Sequence, residues 1–421
     1  MYCGVEQIHV CILTPGALGS NPRVVKEANA LSNAGHRVTV IATRTLAEVD
    51  ARDDAVLADA NWVGCRLDFR QRHTGWQFRR AKQLICASAF RRIQHASLAE
   101  GGISPFTNPL IAAATQIVAD LYIAHHPAAL PAAVIAARHR GALYAFDAED
   151  FHIGEWPDDA IYDANRSLIR AIEGRYLPGC VYVTAASPGI ADAYAEAYGI
   201  VRPTVLLNVF PRAEAPPLPT PSGAADPGPS VYWFSQTIGS NRGLECAVQA
   251  IACARTRPHL YLRGSPAAGF LDQLVGLAHS IKVVDRIHIL PPAAPHEMST
   301  LAALYDVGLS SEPGHSSNNR VALGNKIFTY LLGGLPVVMS DIPAHRAIAP
   351  ELGAASLLYS KEDAESLAEA LDALLGDPPA LATARAAAFN LGQLRANWDL
   401  EQDILLRLIE QMRNCPTPTA R

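Results

Sequence analysis

Neither a CxxC pair nor a framework spacing occurs among the eight cysteines of this 421-residue chain (Cys3, Cys11, Cys65, Cys86, Cys180, Cys246, Cys253, Cys415). That excludes a disulfide-stapled scaffold, and reduced, mostly buried thiols are expected. No apolar run reaches the roughly 18 residues that a membrane-crossing helix needs. A basic segment followed by an apolar stretch and a cleavage site is also missing at the N-terminus. A cytoplasmic location is therefore expected, with association at a membrane surface left open. The 14 histidines form neither HExxH nor a Cys/His ladder, so no metal site and no metal cofactor are expected. A GxSxG elbow is absent too, which disfavours nucleophilic hydrolysis. Positive charge is not in excess. A formal charge of −5 and a pI near 6.3 argue against nucleic acid as a partner.

The length suits two domains of roughly 100–200 residues each. Apolar Ile8 to Leu13 leads into Thr14-Pro15-Gly16-Ala17-Leu18-Gly19-Ser20, after which Asn21-Pro22 opens a helix. Ser20 or Asn21 can cap it, Pro22 suits its first turn, and Val24, Ala28 and Leu31 share one face before Gly35. A strand, Arg37 to Ala42, completes a right-handed βαβ unit in a parallel sheet. Similar strands are expected at 121–124, 143–146 and 181–185. From Phe210 to Ser230 the chain is crowded with proline, including Pro211, Pro216, Pro217, Pro219, Pro221, Pro227 and Pro229, which marks a linker. A second series follows at 231–234, 259–262, 286–290, 306–310, 335–339 and 355–358. The expected fold class is α/β, two Rossmann-like doubly wound parallel-sheet domains facing a cleft. They span 1–210 and 211–395, with an amphipathic tail helix in 396–421.

Several constellations sit where strands meet helices. Gly16 and Gly19 flank a turn that a phosphate could approach; a plain strand-to-helix turn is the alternative. It is not GxGxxG, and no acid ends the second strand, which disfavours a nicotinamide cofactor. His125 and His126 follow a strand end, at the ligand-facing rim of an open α/β sheet. Asp147, Glu149, Asp150 and Glu155 follow the next one, where carboxylates suit sugar hydroxyls; a solvated acidic loop is the alternative. Arg242 precedes a helix, where its fork and free amides can hold a diphosphate, unless it is an ordinary surface arginine. The polar loop Ser310 to Arg320, which includes Asn319, leads to a helix opened by Asn325 and Lys326, again an anion-site geometry. Residues 66–92 concentrate Arg66, Arg70, Arg72, His73, Trp76, Phe78, Arg79, Arg80, Lys82, Phe90, Arg91 and Arg92. They suit either a helix packed on the core or contact with anionic lipid headgroups.

The run Asn325-Lys326-Ile327-Phe328-Thr329-Tyr330-Leu331-Leu332-Gly333-Gly334-Leu335-Pro336-Val337-Val338 resembles the donor-binding helix of family 4 glycosyltransferases of the GT-B fold. So does the opening Asn21-Pro22-Arg23-Val24-Val25-Lys26-Glu27-Ala28, followed by Gly35-His36-Arg37-Val38. The resemblance covers nearly the whole chain. It implies a retaining, metal-independent transfer of a hexose from a nucleotide-diphosphate sugar to a glycan or lipid-linked acceptor, as in polysaccharide or lipopolysaccharide assembly. No cofactor beyond the donor is implied. His125 falls on the family's active-site histidine and His126 on an aspartate position. Glu149 and Asp150 fall on an acceptor-side His-Glu pair. Arg242 matches the second of two phosphate cations, while Gln236 stands in the place of the first. The 310–320 loop would approach the donor sugar, and the ribose-binding glutamate is replaced by Thr329, its partner by Val321. The tail helix of such proteins crosses back to the N-terminal domain. Gln236, Val321 and Thr329 motivate an alternative, a non-catalytic GT-B partner or binding scaffold. A nucleotide-sugar epimerase on the same fold fits the Asn-Pro-Arg-Val and Arg-Gly-Leu-Glu runs less well.

Overall fold

Strand and helix alternate throughout a computed structural model that describes residues 7–45, 47–70, 75–217 and 228–414. Pro219, Pro221, Pro227, Arg72, His73, Cys3 and Cys415 lie outside the described residues. Contacts divide the chain into two units. The first takes in residues up to Leu206, Ser316–Asn318 and the chain from Gln402 onward; the second comprises Leu207–His315 and Asn319–Glu401.

The first unit runs β1 (His9–Leu13), α1 (Pro22–Asn33), β2 (Arg37–Arg44), α2 (Ala47–Ala58), β3 (Val63–Asp68), α3 (Trp76–Ile93), α4 (Ala96–Ile103), α5 (Thr107–Ala114), β4 (Leu121–His125), α6 (Leu130–Arg140), β5 (Leu143–Ala148), α7 (Asp163–Tyr176), β6 (Val183–Ala185), α8 (Pro188–Tyr198) and β7 (Thr204–Val205). Its seven strands are all parallel, in the order β3-β2-β1-β4-β5-β6-β7. Order reverses between β1 and β4, so the loops after those strands diverge and leave a crevice at their carboxyl ends. Local chemistry explains α1. The Asn21 side chain accepts from Val24 N–H and Pro22 occupies the first turn. Val24, Ala28 and Leu31 are fully buried, and Gly35 leaves the helix at φ 91°. Emptying such a position, as in Leu31→Ala, costs about 2–5 kcal/mol.

The second unit runs β8 (Ser230–Ile238), α9 (Leu244–Cys253), β9 (His259–Pro266), α10 (Phe270–Ser280), β10 (Ile287–Leu290), α11 (Met298–Ala302), β11 (Val307–Ser310), α12 (Ser317–Val321), α13 (Asn325–Leu332), β12 (Val337–Ser340), α14 (Pro343–Leu352), β13 (Ser356–Tyr359), α15 (Ala364–Leu375) and α16 (Pro378–Leu394), except that the first residues of α12, through Asn318, are grouped with the first unit. α17 (Trp398–Asn414) starts in the second unit and is grouped with the first from Gln402 onward. Six parallel strands stand in the order β10-β9-β8-β11-β12-β13, with the reversal between β8 and β11. β12 starts at Val337 rather than Leu335, because Pro336 has no N–H to donate and contributes its carbonyl to Gly308 N–H (2.8 Å).

Two strands lay outside the sequence expectation, β3 and β7. β3 pairs on one side only, at the sheet edge, and is half-exposed, so it lacks the unbroken apolar run that marks a central strand. β7 has two residues. The thiol expectation is corrected in part. The six described cysteines are free, but only Cys11 and Cys246 among them are buried, and Cys253 is exposed.

Candidate functional site

In the first unit the sheet register sets the chemistry. His125, the last residue of β4, pairs in register with Asp147 of β5, which pairs with Thr184 of β6. Arg23, in the first turn of α1, reaches Asp147 through two hydrogen bonds of 2.6 and 2.7 Å and donates a third to the Leu206 carbonyl (2.8 Å). His125 Nδ1 lies 2.8 Å from Glu149 Oε1 and 3.2 Å from Asp147 Oδ2, and its Nε2 lies 3.1 Å from Glu27 Oε2. Asn21 Nδ2 also donates to Glu149 Oε1 (2.9 Å). Burial opposes charge on His125, but Glu27, Asp147 and Glu149 outweigh it and raise its pKa well above the ordinary histidine value. The imidazolium is thus clamped among three carboxylates, with Arg23 as the second cation.

This arrangement changes what the first-unit residues can do. Both His125 nitrogens are engaged and the residue is 1% exposed, so contact with a sugar would require giving up a carboxylate. Asp147 is fully buried and spent on Arg23 and Thr184, which removes it from the four acids expected to meet sugar hydroxyls. Glu149 remains partly exposed. Asp150 stands apart: its Oδ1 accepts from Asn318 Nδ2 (2.7 Å), a residue grouped with the same unit, and its carbonyl from the Tyr194 hydroxyl. Glu155 is pushed up to about 7, chiefly by burial, with His152 opposing the shift.

His152, His126 and Glu155 bring possible ligand atoms within 4.8 Å of one another. His126 adopts φ 78°, and its Nδ1 accepts from the Ala128 N–H (3.1 Å), which places the proton on Nε2. With Nδ1 engaged and Nε2 protonated, it offers no lone pair to a metal. His152 is held by Glu173 (3.0 Å) and the Tyr194 hydroxyl (2.5 Å). The expected phosphate turn is also occupied by the protein's own groups. Gly19 N–H donates to Asp53 (2.7 Å), and a Cβ there would stand 2.6 Å from Arg52 Cβ. Gly19 therefore serves close packing against α2. Gly16 N–H turns to the Thr14 hydroxyl (3.2 Å).

In the second unit the reversal point carries two helix N-termini without side-chain caps, those of α9 and α13. Free amides at such ends attract anions. Arg242 lies just before α9. Its carbonyl accepts from Ser311 Oγ (2.7 Å), which ties the loop after β8 to the loop after β11. Gly243 allows this approach: it sits at φ 69°, and a Cβ would fall 2.1 Å from the Ser311 carbonyl oxygen. A cavity of about 540 Å³ adjoins the α9 end, lined by residues that include Ser240, Gly243, Gly314, His315 and Lys361. The pKa of His315 is lowered by burial and by the Arg242 charge nearby. Arg242, Gln236, Asn319, Asn325, Lys326 and Thr329 are not among the lining residues.

Lys326, in the first turn of α13, lies over the Trp233 ring (5.6 Å) and pairs with Glu312 (2.6 Å). Burial works against the Glu312 carboxylate, but Lys326, His345 and the Ser310 hydroxyl bring its pKa down to about 2. Glu312 was missed as a site residue because a lone acid in a Ser/Gly/Pro loop has no sequence period. Asn325 is half-buried at the α13 start. Asn319 accepts from Gly314 N–H (2.6 Å) and shapes the loop. Gln236 is exposed, at a register shift between Phe234 and Thr237. Thr329 is fully buried, its hydroxyl bonded to the Asn325 carbonyl (3.0 Å).

No protein-family model and no curated protein sequence matches the chain. Solved structures do. The chain is similar to HepE of Anabaena, crystallised with UDP and glucose (TM-score 0.72, 15% identity, 96% of this chain and 100% of that one). It is similar to sucrose-phosphate synthase from Thermosynechococcus elongatus (TM-score 0.72, 16% identity, 97% and 100%). It is also similar to WaaG, a glycosyltransferase involved in lipopolysaccharide biosynthesis (TM-score 0.62, 11% identity, 95% and 99%). At these identities the likeness speaks to the fold. These neighbours are GT-B glycosyltransferases, and the chain has that fold: two Rossmann-like units with doubly wound parallel sheets of seven and six strands.

Proposed function

We propose that this chain is a family 4-like glycosyltransferase that takes a hexose from a nucleoside-diphosphate sugar, uridine being the first base to test. The observation that carries this reading is the second unit's reversal point, where Arg242 and Lys326 accompany two uncapped helix N-termini. A diphosphate is the dianionic group that such a combination suits. The complexes of HepE with UDP and glucose support the choice of donor. Asn325, Asn319 and Gln236 complete the donor contacts in this reading, and Glu312 holds Lys326 in place. The acceptor is a glycan or lipid-linked hydroxyl met by Glu149 and Asp150, as in polysaccharide assembly.

The reaction in this reading needs no metal, because Arg242, Lys326 and the helix ends supply the positive charge that the leaving diphosphate requires. The acceptor oxygen bonds to the anomeric carbon on the face from which the diphosphate departs, so configuration is retained, and the hydroxyl proton passes to the leaving phosphate. His125 acts as a positioning residue that orients Glu149. A second reading, a GT-B scaffold without donor chemistry, draws on Thr329, whose hydroxyl is spent on its own helix. Single-turnover assays with UDP-glucose and with a panel of other nucleotide sugars separate them. Sugar transfer or slow donor hydrolysis that falls at least about tenfold in Arg242→Ala supports the transferase, and turnover of none of the panel supports the scaffold.

A further inference from the structure

The surface of α3 plays no part in the proposed reaction. Its inner side packs on α4: Phe90 is buried, Gln83 donates to the Gly102 carbonyl (2.7 Å), and Gly101 and Gly102 let Cys86 and Ala87 approach closely. Its outer side is apolar and bare. Phe78 is 74% exposed, Ile85 68%, Ile93 67% and Leu84 52%. Steps of seven and eight residues put Phe78, Ile85 and Ile93 on one face of the helix. Exposed Arg80, Lys82, Arg91 and Arg92 stand among them, and α3 contains no acidic residue. The charge bias extends beyond the helix. Residues 69–99 hold seven of the chain's 35 Lys and Arg and no Asp or Glu, in a chain of net charge −5.

We propose that α3 lies flat on an anionic lipid bilayer. Phe78, Ile85 and Ile93 enter the boundary between headgroups and acyl chains while Arg80, Lys82, Arg91 and Arg92 meet lipid phosphates. A second copy of this chain is a poor occupant, because a two-fold contact through this face would set like charges against each other. A nucleic acid would use the cations and leave the aliphatic side chains unpaired. Among the described residues no helix is long and apolar enough to cross a membrane, so the contact is peripheral. The proposal does not depend on the transferase reading.

Flotation of the full chain with vesicles, without nucleotide, tests it. Vesicles of phosphatidylcholine with one-third phosphatidylglycerol should carry the protein at low salt and release it at about 0.5 M salt. Pure phosphatidylcholine vesicles should leave it behind. R91E/R92E should weaken binding on the order of a hundredfold, and F78S/I85S on the order of tenfold or more. These side chains are mostly exposed, so both variants should melt like the wild type and keep its nucleotide affinity. Equal flotation with both vesicle types, none with either, or undiminished binding of both variants would overturn the proposal. So would a concentration-dependent dimer that F78S/I85S abolishes, which would give the face to a second copy.

Discussion

Lys326 is the side chain on which the proposed donor site turns, because in that reading it serves two anions in succession. In the free protein it neutralises Glu312; with donor bound, it is to share its charge with a phosphate. Lys326→Ala should weaken nucleoside-diphosphate binding by about ten- to a hundredfold, the range of a charge-assisted hydrogen bond. Isothermal titration measures this directly, and an unchanged affinity would remove Lys326 from the site. Gly19 gives the contrasting case. Its amide goes to Asp53 and its Cα abuts Arg52, so Gly19→Ala should cost about 1–3 kcal/mol of stability and leave nucleotide affinity alone. Urea unfolding and the same titration separate the two effects; weaker nucleotide binding with unchanged stability would return Gly19 to the phosphate turn.

Between elements, buried ion pairs join α1, β4 and β5 through His125 and join the segment after β5 to α7 and α8 through His152, Glu173 and Tyr194. His125→Ala should act first on stability. It would leave Glu27 and Asp147 with Arg23 alone, and breaking such a buried network costs about 3–5 kcal/mol. His152 makes the coupling visible in pH. Burial lowers its pKa, but Glu173, with help from Glu155 and Asp150, raises it to about 9 from 6.5. A histidine raised on folding contributes stability that is complete below its unfolded pKa and is lost as pH climbs through the folded value. Stability should therefore fall between about pH 6.5 and 9, by on the order of 3 kcal/mol for this group, with His125 adding in the same direction. Urea midpoints measured across that range should decline in the wild type and decline less in His152→Asn; a flat wild-type profile would rule the coupling out.

These elements also show what the sequence can and cannot carry. α1 was legible because its cap, its first-turn proline and its apolar period agree. α3, Trp76–Ile93, falls almost wholly within the basic and aromatic 66–92 stretch for which a helix was one reading, but the start of that stretch belongs to β3. β3 was not, since an edge strand with one half-covered face needs no continuous apolar run. His125 and Glu149 could be placed at strand ends by pattern. That His125 is locked by Glu27, a residue 98 positions away in sequence, follows only from sheet order and register. Glu312, in the loop after β11, and Lys326, in α13, meet only because the chain between them folds back on itself, which no local pattern shows.

For the molecule as a whole, two units of one architecture carry different charge chemistry at corresponding places in their sheets. The first unit's strand ends enclose a filled network of Arg23, Glu27, His125, Asp147 and Glu149. The second unit's reversal point keeps two helix ends without side-chain caps, Arg242 and Lys326, and a cavity beside the α9 end. The proposed donor site rests on that asymmetry, and the central measurement follows from it. Calorimetric titration with nucleoside diphosphates and their sugars, without metal and then with magnesium, should find one base bound at micromolar affinity irrespective of metal. Binding should be lost in Arg242→Ala and Lys326→Ala and kept in Gly19→Ala. No binding across the panel, or binding that both charge variants retain, would contradict the donor site and leave the scaffold reading in its place.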